Sequence, residues 1–182
     1  MSSFAALTIG HSTRPLDVVI ALLRRHHVAH LADVRRFPAS RTQPQFNRDT
    51  LPAALADHGI AYTWHEALGG RRRARADSHN TRWRNASFRG YADYMETPAF
   101  GVAFGELVAA VDRERVALMC AEVLWWRCHR SLLADKLQVD GRAVGHIGPD
   151  GELIAHPYTA AAWIDHGRLR YDGDPVQPDL GL

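Results

Sequence analysis

The chain has 182 residues, a formal net charge of +2 with histidine neutral, and two cysteines. That length suits one domain with a real core, the charge excludes a protein that is strongly basic as a whole, and two cysteines cannot build a disulfide-rich secreted scaffold. No basic leader precedes a long apolar run and no stretch approaches the ~18 apolar residues of a membrane span, so the expectation is a cytoplasmic protein with free thiols and no membrane partner. The 22 cations are skewed, since Lys136 is the single lysine. Codon bias in a GC-rich genome accounts for such a skew, and so does phosphate recognition by the planar guanidinium fork.

Taken in order, Ala5 to Ile9 reads as a short apolar strand, broken by Gly10-His11-Ser12-Thr13. A helix then carries Val18, Val19, Ile20, Leu22 and Leu23, with Ser12 or Thr13 as its cap and Pro15 in its first turn. His30 to Val34 is a second strand, leading to Asp33 and Arg35, so the first forty residues read as a βαβ unit. Phe37 to Asn47 is a polar loop. Asp49 opens a helix that stops at Gly59, and Ile60 to Trp64 is a third strand with His65 and Glu66 at its exit.

Arg71 to Phe88 is irregular and is expected to be an exposed, mobile loop. Tyr91 to Met95 opens a helical segment, Thr97-Pro98 interrupts it, and Phe100 to Arg113 continues as a long amphipathic helix. Val116 to Cys120 is the fourth strand, and a helix is expected from about Cys128 through Val139. Val144 to Ile147 and Leu153 to His156 flank a Gly-Pro-Asp-Gly turn, as a fifth strand or a terminal hairpin. The organisation expected is a single domain over residues 1–164 and a loosely held tail over 165–182. The alternation of short apolar runs with amphipathic helices predicts an α/β fold: one mainly parallel sheet with helices on both faces.

The stretch on which the chemistry converges is Cys120-Ala121-Glu122, a short loop, and Cys128-His129-Arg130. It places a thiol and a carboxylate at a strand's carboxyl end, and a second thiol, an imidazole and a guanidinium at the start of the next helix. In open α/β sheets that edge binds ligands. These residues, with Thr8-Ile9-Gly10-His11-Ser12, Asp33-Val34-Arg35, Pro38, Ser40-Arg41, Phe46-Asn47, Leu68-Gly69-Gly70 and Tyr91-Ala92-Asp93-Tyr94-Met95, resemble the family catalogued as domain of unknown function 488. The pieces span most of the chain in order. The resemblance implies a Rossmann-like α/β domain and assigns no reaction.

If the strands are parallel, their exits gather His11 and Ser12, Asp33 and Arg35, His65 and Glu66, and Cys120 and Glu122, with Ser40 and Arg41 closing over the edge. The catalytic candidates are Cys128, Cys120, Glu122, His129, Asp33 and His11. Cys128 is the expected nucleophile, because a thiol near a helix N-terminus and beside cations is readily ionised. Asp33 and Glu122 are acid/base candidates, and His11 and His129 are candidates for positioning or shuttling protons. Arg35, Arg41, Arg130 and Arg89, with Ser12 and Ser40, would hold an anionic substrate.

Cys120 sits at a strand end like the cysteine of rhodaneses and low-molecular-weight phosphatases. The Cys-x5-Arg motif is nevertheless absent, since Trp126 occupies the sixth position and Arg127 the seventh. Three readings stand: an enzyme acting on an anionic small molecule, nucleotide or nucleic acid; a non-catalytic nucleic-acid module using Arg71, Arg72, Arg73 and Trp83; and a metal-binding or redox-sensing thiol protein. No cofactor follows from the residues, and no bound metal is expected, because the cysteine and histidine spacing matches no usual zinc pattern.

Overall fold

The structure is a computed structural model and describes residues 4–174. Five parallel strands and one antiparallel edge strand form a sheet in the order β3-β2-β4-β1-β5-β6. The strands are β1 (Ala6–Gly10), β2 (His30–Asp33), β3 (Ala61–Trp64), β4 (Val116–Cys120), β5 (Val144–Ile147) and β6 (Leu153–Ala155). The helices are α1 (Leu16–Arg25), α2 (Leu51–Ala56), α3 (Ala86–Met95), α4 (Pro98–Arg113) and α5 (Arg130–Val139). The result is the expected mainly parallel α/β sheet with helices on both faces.

Parallel strands covered on both sides should be apolar at every position rather than alternating. The buried runs Ala6–Gly10 and Val116–Met119 follow that rule, whereas the edge strand β3 alternates exposed and half-buried residues. On one face, Leu7, Ile9, Leu31, Ala117 and Met119 pack with Val19, Ile20 and Leu23 of α1 and with Leu51 and Leu55 of α2. On the other, Ala6, Ala32, Val116 and Leu118 pack with Tyr91, Phe100, Leu107, Leu132 and Leu137 of α3, α4 and α5.

This division follows from strand order. The chain steps outward in one direction from β1 to β2 to β3, then back in the other from β3 to β4 to β5. Crossovers of one hand then place the two sets of helices on opposite faces. The two directions part between the adjacent strands β1 and β4, and a crevice opens above their carboxyl ends. Gly10 permits the parting. A Cβ on it would lie 2.0 Å from the Glu122 carbonyl oxygen, so only glycine lets the β4 exit loop pass over the end of β1.

Three local expectations are corrected. Helix α1 has Pro15 at its N-cap and no side-chain cap; Ser12 instead adopts a left-handed backbone (φ 47°), which turns the chain away from the β4 exit. Helix α5 begins at Arg130, so Cys128 lies before it in extended conformation. The tail expected from Asp165 is, over its described part, an antiparallel hairpin of β7 (Trp163–Asp165) and β8 (Arg168–Arg170), followed by the buried Tyr171. Tyr171 donates a hydrogen bond to Asp135 at 2.8 Å, which ties this segment to α5. Residues 175–182 of the expected tail lie outside the described residues.

Candidate active site

Above the β1/β4 crevice lies a cleft of about 1060 Å³ whose lining includes Cys120, Cys128 and His129. The ligand atoms of these three side chains lie within 4.8 Å of one another. The β4 exit loop sets the spacing. It is pinned to β1 by the His11 and Ser12 amides, which donate to the carbonyls of Cys120 (3.0 Å) and Ala121 (2.8 Å). It then turns through a 3-10 segment at Trp125–Arg127 and brings Cys128 back beside Cys120.

His129 is oriented from both sides. Its Nε2–H donates to the Val34 carbonyl at 2.9 Å, which leaves Nδ1 as the atom facing the Cys128 sulfur at 3.6 Å. The Tyr91 ring packs 5.0 Å from the imidazole, and Tyr91 is itself anchored by its hydroxyl donating to the Leu68 carbonyl at 2.7 Å. Gly70 provides the space: a Cβ there would lie 2.8 Å from Nδ1. A thiol, an imidazole and a carbonyl that orients the imidazole are therefore in sequence, the geometry that activation of a thiol requires.

Arg130 lies beneath the thiols and is 1% exposed. It donates through Nε to the Cys128 sulfur at 3.4 Å and through Nη2 to the Glu122 carbonyl. Among the described residues no carboxylate forms an ion pair with it. A buried guanidinium without a carboxylate favours negative charge on the atom it touches.

Burial works against a thiolate at Cys128. The hydrogen bond with Cys120 and the positive character of His129 and Arg130 outweigh it and hold this thiol well below the ordinary range. Cys120 is pushed well above its ordinary range, first by its hydrogen bond to Cys128 and then by burial. One proton shared between two sulfurs on the Cys120 side describes the pair. The helix-terminus argument for Cys128 is thus replaced by a contact argument, and Cys128 is the more buried thiol, at 5% exposed, with Cys120 half-buried.

The rest of the predicted set divides by place. Glu122, Arg35, Arg71 and Trp83 line the cleft with the three central residues. Glu122 accepts from the Leu124 amide at 3.0 Å, an arrangement that fixes its carboxylate at the wall. Asp33 is fully buried and accepts two hydrogen bonds from the Arg35 side chain (2.9 and 2.6 Å), one from the Arg35 amide and one from Tyr62. Asp33 and Arg35 therefore spend their charges on each other, and Arg35 also donates to the Phe46 carbonyl and to His11 Nε2.

Both nitrogens of His11 are occupied, its ring stacks on Phe46, and burial lowers its pKa to about 4, so it is a neutral packing element rather than a shuttle. Ser12, Ser40, Arg41 and Arg89 are not in the cleft lining. Ser40 ties its own loop through Asn47, Thr42 and Gln43, Arg41 is exposed, and Arg89 holds the Trp83 carbonyl.

The arginine-rich loop is an ordered wall. Asp93 accepts from the Arg75 amide, Ser78 and Asn80 and staples the loop to α3. Trp83 is 9% exposed between Phe88 and Tyr171, and Arg72 lies over the Tyr94 ring. Neither offers a free surface for a base, and of the four residues expected to bind nucleic acid, Arg71, Arg72, Arg73 and Trp83, only Arg71 and Arg73 face solvent. Sequence reading missed Arg36 and the exposed rings of Phe37 and Tyr158, and gave Arg84, Trp126 and Arg127 no place among the site residues, although all six line the cleft. An exposed aromatic beside an arginine, as in Arg36-Phe37 and Trp126-Arg127, was the available signal.

Cys120, Cys128 and His129 are also close enough to share a soft metal ion, and a histidine whose second nitrogen donates to a carbonyl is the usual supporting pattern. Arg130, in contact with Cys128, and Arg35, whose field reaches Cys120, place positive charge where a cation would sit. The constellation is therefore better matched to an anionic sulfur than to a dication. Among the described residues, no helix is long and apolar enough to cross a membrane.

No curated protein and no solved structure matches the chain. The family model described as Domain of unknown function DUF488 matches residues 15–137, which include β2, β4, the loop between the two cysteines and α5 through Leu137. The chain belongs to the DUF488 family.

Proposed function

We propose that the protein is an enzyme that uses the Cys128 thiolate as a nucleophile on an anionic, ring-bearing substrate of the nucleotide kind. The observation that carries this reading is Cys128 set between His129 and Arg130 in a cleft lined by cations. Among the described residues the side chains of Arg36, Arg71, Arg84 and Arg127 form no hydrogen bond or ion pair, and the Arg36 and Arg71 guanidinium groups lie by the Phe37 ring. Free guanidinium groups suit phosphate oxygens, and the exposed Phe37, Trp126 and Tyr158 suit the flat face of a base.

The residues divide the work simply. His129 Nδ1 takes the Cys128 proton while the Val34 carbonyl holds the imidazole in place. Arg130 stabilises the sulfur anion. The thiolate attacks an electrophilic centre of the bound anion and forms a covalent Cys128 adduct. The leaving group collects a proton from His129, or from Glu122 at the wall.

Binding of a fluorescent adenosine triphosphate analogue, and of a short single-stranded oligonucleotide, tests the substrate class. Saturable binding of at least one at low salt is expected, with protection of Cys128 from alkylation. The absence of both refutes the reading. Tighter binding of the oligonucleotide with no protection of Cys128 favours the non-catalytic nucleic-acid module. The adjacency of the two sulfurs supports a second reading, a redox-sensing dithiol; in that case a hydroperoxide, and no anionic ligand, changes the state of Cys128.

A further inference from the structure

The buried polar groups that the proposed chemistry leaves unused form one line across the fold. It starts at Asp135 on α5. Its Oδ1 accepts from His156 Nε2 (2.9 Å) and the Thr159 amide (2.9 Å), and its Oδ2 accepts from the Thr159 hydroxyl (2.6 Å) and Tyr171 (2.8 Å). A carboxylate accepts and does not donate, so His156 presents Nε2–H to it, and in the neutral imidazole Nδ1 is then a lone pair. That lone pair accepts from His146 Nε2 at 2.9 Å, which leaves His146 Nδ1 to accept from the Thr8 hydroxyl at 2.7 Å. The Thr8 oxygen then has its own lone pairs free for Arg130 Nη1, 3.4 Å away. With both imidazoles neutral, every hydrogen bond runs in one direction, from the guanidinium to the carboxylate, and each link sets the tautomer of the next.

We propose that Thr8, His146, His156 and Asp135 are a positioning relay that holds Arg130 against the Cys128 sulfur, an inference that rests on the thiolate reading above. Three observations carry it. The line is almost dry: Thr8, His146, His156, Asp135 and Arg130 are each 4% exposed or less. Packing alone does not call for five polar side chains in a row, since unpaired buried polar groups are costly and apolar ones are not.

The second observation is where the line ends. A carboxylate in direct contact with Arg130 would neutralise its field at the sulfur. The relay ends instead on the neutral Thr8 oxygen, which fixes the guanidinium and leaves its charge for Cys128. The third is the clamp. The Trp125 indole lies flat on the His146 ring at 4.2 Å and 3°, so the relay is braced by a residue of the cleft wall. Burial, with His156 and Arg130 nearby, lowers the His146 pKa to about 2, so this ring stands neutral in the middle of the line.

The test is made in the full-length protein. Thr8→Val keeps the shape of the side chain and removes the hydroxyl, Thr8→Ser restores it, and His146→Gln breaks the middle of the line. The readout is the apparent pKa of Cys128, from the pH dependence of iodoacetamide alkylation resolved by site with mass spectrometry, together with the thermal midpoint. Cys120, His129, Arg130 and Tyr91 also face this sulfur and are unchanged in all three variants.

Thr8→Val and His146→Gln are each expected to raise the apparent pKa by about one unit, which is about tenfold less thiolate at pH values well below it. Thr8→Ser is expected to return the pKa toward the wild-type value. A low Cys128 pKa in the wild type that persists in folded Thr8→Val or His146→Gln overturns the relay. An ordinary thiol pKa in the wild type overturns the thiolate reading itself, so the two failures are distinct.

Discussion

Gly70 gives the sharpest local perturbation. It precedes Arg71 and lies against the His129 ring, where a Cβ would come within 2.8 Å of Nδ1, 3.2 Å of Cγ and 3.4 Å of Cε1. The contact at Cγ matters most, because the ring root cannot swing away as the far end of a flexible chain can. In Gly70→Ala the imidazole must move as a body. It then loses its 2.9 Å bond to the Val34 carbonyl and its approach to Cys128. One such hydrogen bond contributes about 0.5–1.5 kcal/mol. That corresponds to roughly a twofold to twelvefold fall in the alkylation rate of Cys128 below its pKa, if the loss appears at the thiolate. The same loss in stability lowers the thermal midpoint by only a few degrees, about 2–4 °C per kcal/mol for a chain of this size.

Gly69→Ala is the contrast. Its Cβ would meet the backbone of Arg36 at 2.6 Å, so it should destabilise the fold without a selective effect on the thiol. Alkylation kinetics and thermal melts of the two variants, run side by side, give the answer. A Gly70→Ala protein with wild-type Cys128 reactivity would refute the role given to His129.

Asp33→Asn leaves Arg35 buried without its carboxylate and should cost about 3–5 kcal/mol in urea unfolding; a loss below 1 kcal/mol would show that the pair is not needed by the fold. Acid should destabilise the protein through His11 and His146, whose pKa values burial lowers to about 4 and about 2. The unfolded chain binds these protons near pH 6.5 and the folded chain does not, so their contribution is fully present above pH 6.5. It falls by up to about 1.4 kcal/mol per pH unit for each histidine as the pH drops below that, and the His11 part levels off near pH 4. Urea titrations at pH 7, 6 and 5 that superimpose would contradict this. Replacing Arg71, Arg84 and Arg127 together by alanine should weaken binding of an adenosine triphosphate analogue and flatten its salt dependence, whereas Arg73→Ala, outside the cleft lining, should leave both unchanged. Elemental analysis of untagged protein is expected to show no stoichiometric zinc or iron; one equivalent that disappears in Cys128→Ser would reverse the choice of thiolate over metal.

The sheet was legible because its strands are short, mostly apolar runs separated by amphipathic helices; parallel burial on two faces leaves that trace. The gathering of Cys120, Glu122, Cys128 and His129 was legible for a related reason, since parallel strands deliver their exits to one edge. Hydrogen-bond direction was not. Asp33 and His11 have the residue types of acid/base groups, but Asp33 is spent on Arg35 and Tyr62, and His11 on Ser12 and Arg35. Nothing in one dimension distinguishes a satisfied carboxylate from a free one.

Trp83 failed likewise, because a tryptophan among arginines reads as a stacking surface until Phe88 and Tyr171 cover it. The relay went unread because its members are spread from Thr8 to His156 and meet only when β5 joins β1. A histidine inside the buried strand Val144–Ile147 was its one local sign.

The central claim is that Cys128, not Cys120, carries the negative charge at the floor of the cleft. The most direct measurement is the alkylation rate of each cysteine in the native wild-type protein as a function of pH, with iodoacetamide as a probe small enough for a half-closed site and mass spectrometry to separate the two. Cys128 should titrate with the lower apparent pKa, and Cys120 should stay unreactive until well above its ordinary range. A lower apparent pKa at Cys120, or two thiols that both titrate as free cysteine does, near pH 8.5, would contradict the account.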